Sequence, residues 1–199
     1  MTAAVLGATG ALPTLIACLA LLLLTMGSFV LLSGEFWANG SDKIGMIAMA
    51  GTLLTAIGVA AGDAGVALAG AIVTGGQLTL CYAVAGGSKL FVPTWRNGAE
   101  LTGVMASQSW GHPLGHRLTR VRPLAIMATW TLILAELLFP LALLSPQGWL
   151  AAALGVMLAF HVATALLMGL NTFPWAFAAA YPAVLLLGRA IRTGLGLDG

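Results

Sequence analysis

Three polar side chains lie inside or beside apolar runs of the sequence, where a polar group is most costly. Lys89 comes at the end of one run, Glu136 lies one turn before Pro140 in another, and His161 lies within a third. A lysine at a membrane edge usually extends its ammonium group to the headgroups, whereas one partly withdrawn from water loses its proton more readily and can act as a base. Glu136 must be paired, protonated or turned toward a polar cavity. These positions are the first candidates for chemistry.

The histidines and cysteines do not have the spacing of a metal site. His112 and His116 are four residues apart in a polar segment, but no acidic residue or cysteine adjoins them. Cys18 and Cys81 lie in separate apolar runs without C-x-x-C spacing, so neither a zinc site nor a disulfide framework is indicated. For His161, a hydrogen bond between helices is a more common role than catalysis.

The composition predicts a helical membrane protein. Of the 199 residues, 60% are hydrophobic and only 7% are charged. Eight basic residues against six acidic ones provide no field for holding a nucleic acid, which excludes DNA and RNA as partners. The 26 glycines fit helices that approach each other closely in lipid.

Six apolar segments have the length to cross a bilayer, which takes about 20 residues. They predict an all-α polytopic transmembrane bundle that forms a single membrane domain over residues 1–199. Pro13 is expected at the start of the first span, which we assign to the mature protein because residues 1–12 contain no Lys or Arg. The predicted spans cover residues 13–33, 44–61, 66–85, 124–144, 149–170 and 174–187. Only Gly62-Asp63-Ala64-Gly65 separates the second span from the third, which predicts a tight helical hairpin.

The segment 86–123 is polar and holds five of the eight basic residues. Within it, residues 98–110 predict a helix lying at the interface, with Trp95 and Trp110 as aromatic anchors. We expect Gly86, Gly87 and Gly98 to need a positive φ or close backbone approach, since the chain leaves the membrane there. With six spans, this segment and the loop 35–43 lie on the same face of the membrane and together hold six basic residues, against two on the other face. This excess favours a cytoplasmic location for the segment.

The sequences YAVAGGSKL at residues 82–90 and WRNGAE at residues 95–100 resemble a known signature. It is the aromatic-x-x-Ala-Gly-x-x-Lys-Leu and Trp-x-x-Gly pattern of the HTTM family, membrane domains similar to vitamin K-dependent gamma-carboxylase and to SdpB-type proteins of bacterial toxin maturation. His161 followed by MGLNTF at residues 168–173 is similar to the family's His and its turn into the next span. The segment WANGS at residues 37–41 resembles the family's polar corner.

The resemblance implies that Lys89 is the base that deprotonates a membrane quinol similar to reduced vitamin K. It also implies that His161 either orients the substrate or forms a hydrogen bond between helices. It also implies an extracytoplasmic location for the lysine, opposite to the charge distribution, so the orientation stays open. Gly40 stands where the carboxylases have His, and the chain ends at Gly199 without a portion for a propeptide, so glutamate gamma-carboxylation is not expected. The residues expected to line the substrate site are Tyr82, Trp95, Gly98, Asn39 and Glu136.

Three functions remain open for a protein of a bacterial inner membrane. The first is a quinol-linked oxidoreductase or peptide-modifying enzyme with Lys89 as base. The second is a non-catalytic subunit that assembles with other membrane or peptide partners in peptide maturation or export, in which Lys89 snorkels or pairs with a partner's carboxylate. The third draws on the DoxX and MauE families, which also use Gly-x-x-Lys-Leu and a later sequence like Glu136-Leu137-Leu138. It implies electron transfer or thiol maturation and requires Cys18 near Cys81.

Overall fold

The computed structural model describes residues 2–32 and 40–197, and these ranges form nine α-helices without any β-strand. Six of the helices are long and apolar enough to cross a membrane. They are α1 (Thr2–Leu32), α2 (Gly40–Ala61), α3 (Ala64–Phe91), α7 (Arg122–Ala142), α8 (Gln147–Met168) and α9 (Phe173–Gly194). The predicted all-α bundle of six spans is confirmed, and the chain is an integral membrane protein.

A tight hairpin joins α2 to α3, as the sequence predicted. Gly62 turns the chain with a φ of 68°, and the Asp63 side chain accepts hydrogen bonds from Gly65 N at 2.9 Å and Val66 N at 3.0 Å. This carboxylate satisfies amides that would otherwise lack partners at the start of α3. Gly51 and Gly70 then bring the two helices into backbone contact, because a Cβ at either position would overlap the opposite helix.

Helix α3 is the centre of the bundle, in contact with α2, α7 and α9, while α8 packs on α9 and α1 packs on α2. The buried core lies between α2, α3, α7, α8 and α9 and is built from apolar side chains. Leu78, Leu150, Met157 and Val184 are almost completely inaccessible. By contrast, most of the apolar side chains described for α1, at residues 11–29 and 32, are exposed, as expected of a helix that faces lipid.

Helix α3 ends at Phe91 rather than at residue 85, so the predicted end of this span is six residues too early. Gly86 and Gly87 continue the helix without positive φ. Their lack of side chains lowers helix propensity, but packing against the rest of the bundle outweighs this cost. Lys89 therefore lies in the last turn of a helix and not in a loop.

Two other predicted boundaries also change. Helix α1 starts at Thr2, and Pro13 lies inside it rather than at its start, because the surrounding Ala and Leu residues continue the helix past one missing N–H donor. Helix α9 extends to Gly194 instead of residue 187, with Pro182 inside it. Arg192 is consequently buried and donates hydrogen bonds to Ser145 O at 2.9 Å and Gln147 Oε1 at 3.1 Å.

Three short helices connect the end of α3 to the start of α7 and are called the α4–α6 layer below. They are α4 (Pro93–Arg96), α5 (Ala99–Ala106) and α6 (Pro113–Thr119). The predicted interfacial helix is α5, which is shorter than the expected 98–110 segment. Both α4 and α5 contact α7, and Trp130 Nε1 of α7 donates to Arg96 O at 3.2 Å. The first two turns of α7 therefore extend past the end of α3 into this layer.

Candidate functional site

Lys89 and Glu136 form an ion pair between α3 and α7. Lys89 Nζ lies 2.7 Å from Glu136 Oε2 and donates a second hydrogen bond to Ala85 O at 3.3 Å. The side chains are only 17% and 6% exposed. Lys89 thus turns back into the bundle toward a buried carboxylate, the arrangement expected of a lysine partly withdrawn from water.

Gly86 makes this pairing possible, since it lies one turn before Lys89 where α3 meets α7. A Cβ at residue 86 would lie 2.5 Å from Leu137 N and 3.0 Å from Glu136 Cβ. The expected close backbone approach is therefore present at Gly86. Gly87 has no such neighbour, since a Cβ there would have nothing within 4 Å, so the expectation for Gly87 is wrong.

Trp95 stands beside the ion pair, with its ring centroid 5.6 Å from Lys89 Nζ. The helix α3 ends with a hydrogen bond from Val92 N to Lys89 O, and Pro93 then starts α4 in a new direction. This turn places the indole over the ammonium group, where the negative face of the ring attracts a cation. The ammonium group is thus contacted by a carboxylate, a carbonyl and an aromatic face.

Tyr82, His161 and Tyr181 form a second polar cluster deeper in the bundle. Tyr82 Oη lies 3.0 Å from His161 Nε2 and 3.4 Å from Tyr181 Oη, and all three side chains are buried. The His161 ring also lies 3.8 Å from the Phe177 ring, centroid to centroid. Nδ1 of His161 has no hydrogen-bond partner among the described residues. The arrangement links α3, α8 and α9 through side chains.

The structure therefore separates the predicted site residues into two groups. Tyr82 and Lys89 are seven residues apart on α3, which corresponds to two turns and about 10 Å along the helix axis. Phe139 packs against the Tyr82 ring at 4.8 Å, one turn beyond Glu136 on α7. Lys89, Glu136 and Trp95 lie together, whereas His161 belongs to the Tyr82 group.

The other predicted site residues have different surroundings. Gly98 has a φ of 79°, as expected for a position that favours glycine, and a Cβ there would lie 2.9 Å from Ala125 Cβ. Gly98 thus joins the short helices to α7 rather than contacting Lys89. Asn39 lies outside the described residues, as does most of the 37–41 corner.

The two cysteines are not joined in a disulfide, and the two loop histidines lie at the start of α6 and within it. Cys18 is exposed on α1 and Cys81 is partly buried on α3, and both are free thiols. His112 Nδ1 accepts a hydrogen bond from Leu114 N at 3.2 Å and so caps α6. Within residues 2–32 and 40–197, no three His, Cys, Asp or Glu side chains are grouped to hold a metal ion.

Sequence reasoning missed Tyr181 and the pairing of Lys89 with Glu136. Tyr181 precedes Pro182, and a hydroxyl inside an apolar span is a usable signal because a buried hydroxyl requires a partner. The ion pair offered a clearer signal, since opposite charges inside two spans tend to pair. Compared with protein-family models, curated proteins and solved structures, the chain matches none of them.

Proposed function

We propose that this membrane protein binds a lipid-soluble quinol at the Lys89–Glu136 pair and removes a proton from it, with Lys89 as the base. The observation that carries the proposal is the partly buried ion pair under Trp95. The resemblance of residues 82–100 to the HTTM signature supports the same chemistry. The oxidation would serve the modification or maturation of a peptide together with partner proteins.

The ion pair is a suitable place for proton transfer because its two members can exchange a proton over 2.7 Å. Transfer from the Lys89 ammonium to Glu136 yields a neutral amine and a carboxylic acid, which relieves the cost of two charges in a low-dielectric site. The amine then takes the proton of a quinol hydroxyl, and the ammonium group that forms pairs with the quinol oxyanion. With oxygen as acceptor, two electrons and two protons pass from the quinol to form hydrogen peroxide.

Access from the membrane is consistent with such a substrate. Lys89 retains 17% exposure, and Phe91 in the next half turn is 82% exposed. A hydroquinone dissolved in the bilayer would approach along this side of α3, with its ring against Trp95 and its hydroxyl toward the ammonium group. Tyr82 and His161 then support the helix that holds Lys89 and do not contact the reacting hydroxyl.

The test is oxygen uptake by the purified protein in lipid with reduced naphthoquinone or benzoquinone, for wild type and Lys89→Arg. A guanidinium group preserves the charge and the pairing with Glu136 but does not lose its proton, so uptake should fall at least about 100-fold. Lys43 is the exposed lysine at the start of α2, and Lys43→Arg is the matched control with unchanged uptake.

Lys89→Arg with wild-type uptake would overturn the assignment of Lys89 as the base. Glu136→Gln should also lose uptake, while Glu100→Gln on the exposed start of α5 should not. No uptake by a well-folded wild type would contradict the quinol proposal and favour a non-catalytic subunit. In the subunit hypothesis Lys89 can pair with a carboxylate of a partner protein. Because Lys89 already pairs with Glu136 of the same chain, it does not require such a carboxylate.

A further inference from the structure

An open groove of about 360 Å³ lies where the start of α5, the end of α6 and the start of α7 meet. Its lining includes Asn97, Gly98, Thr102, Arg120 and Arg122. The walls are joined by the Thr102 hydroxyl, which lies 2.9 Å from both Gly98 O and Thr119 O. The positive φ of Gly98 brings the α4–α5 turn against α7. The groove is thus a built feature of the α4–α6 layer.

The groove carries positive charge without a compensating carboxylate. Arg120 and Arg122 both line it with exposed side chains, and neither pairs with an acidic side chain among the described residues. Asn97 Oδ1 accepts a hydrogen bond from Ala99 N at 2.9 Å, which leaves the amide NH₂ as the donor on this wall. Two guanidinium groups and an amide donor suit the oxygens of a phosphate.

The surroundings of the groove place it at the membrane surface. Apolar side chains next to the arginines are exposed, namely Leu118 at 48%, Val121 at 50% and Leu124 at 40%. Trp110 and Leu114 of the same layer are also exposed. The groove lies between the ends of two spans and combines basic with exposed apolar side chains. This combination is expected at the depth of the bilayer where headgroup phosphates meet acyl chains.

We propose that this groove binds the phosphate of an anionic phospholipid headgroup. Arg120 and Arg122 contact the phosphate oxygens, and Leu118, Val121 and Leu124 contact the upper part of the acyl chains. The adjacent apolar side chains favour a lipid over a soluble phosphate, because a free anion would leave them without contact. The proposal is independent of any quinol chemistry at Lys89.

The test is native mass spectrometry of the protein purified in detergent and titrated with phosphatidylglycerol or phosphatidylcholine. Wild type should prefer phosphatidylglycerol, and Arg120→Gln combined with Arg122→Gln should weaken its binding by at least roughly tenfold, since each basic residue near an anionic surface contributes measurably. Arg117→Gln is the matched control, because Arg117 is exposed on α6 but does not line the groove. Thermal unfolding shows whether the double variant is folded, and the two single variants show how much each arginine contributes to binding.

Binding that falls in the double variant and persists in Arg117→Gln supports the groove. Equal losses in the double variant and in Arg117→Gln would overturn it in favour of diffuse charge attraction. Equal binding of the two lipids would also overturn it. If inorganic phosphate displaces phosphatidylglycerol from wild type at equal concentration, the ligand is a soluble phosphate and the lipid assignment is wrong.

Discussion

At the scale of single residues, each buried polar group that supports the site acquires its role from one neighbour on another helix. Lys89 and Glu136 neutralise each other's charge, and removing one partner alone would leave the other charged and buried. Tyr82 similarly provides the hydrogen-bond partner for His161. These contacts explain why polar residues are tolerated inside apolar helices.

Tyr82→Phe should destabilise the protein by about 1–3 kcal/mol, because it leaves both ring nitrogens of His161 buried without a partner. Tyr181→Phe should cost less, since the 3.0 Å contact between Tyr82 and His161 remains and only the 3.4 Å contact is lost. The measurement is the unfolding free energy of both variants in detergent. Equal losses in the two variants would contradict the central position of the Tyr82 hydroxyl.

At the scale of helices, the contact between α3 and α7 brings the candidate site together. Glycine at residue 86 lets the two backbones approach, and the ion pair forms one turn further along α3. Gly87 is the next residue in the same helix but faces open space. Substitutions at the two positions therefore distinguish the effect of helix packing, present at Gly86, from that of helix propensity, present at both.

Gly86→Ala should lower stability and displace Lys89 from Glu136, because the new Cβ would lie 2.5 Å from Leu137 N and one of the helices must shift. Gly87→Ala is the matched control, and it should be neutral or raise stability by up to about 1 kcal/mol through better helix propensity. Thermal unfolding in detergent measures both effects. A Gly86→Ala variant as stable as wild type would show that α3 and α7 do not approach this closely.

At the scale of the whole molecule, six spans place successive connections on alternate faces of the membrane. The α2–α3 hairpin and the turn between α7 and α8 lie on one face, and the α4–α6 layer lies on the other. Side-chain contacts agree with this arrangement, since Ser41 Oγ lies 2.7 Å from Thr172 Oγ1 on the face of the α4–α6 layer. Most of the basic residues lie on that face.

Ala61→Cys at the end of α2 and Ser109→Cys after α5 should react with a membrane-impermeant maleimide from opposite sides of sealed vesicles. Both positions are exposed, and the experiment requires a background without Cys18 and Cys81. Labelling of both cysteines from one side would contradict the six-span topology. The side on which Ser109→Cys reacts also decides between the orientation expected from charge and the one implied by the HTTM resemblance.

The sequence by itself determined the class of protein, the six spans and the α2–α3 hairpin, because a run of about 20 apolar residues or a Gly-Asp turn is a local property. It also identified Lys89, Glu136 and His161 as costly polar groups. Only the tertiary structure decided their partners, since Lys89 and Glu136 are 47 positions apart and their distance depends on which helix faces meet. The apolar run stops at residue 85 and so predicts the end of α3 there, but the helix continues to Phe91 while Gly86 packs closely against α7.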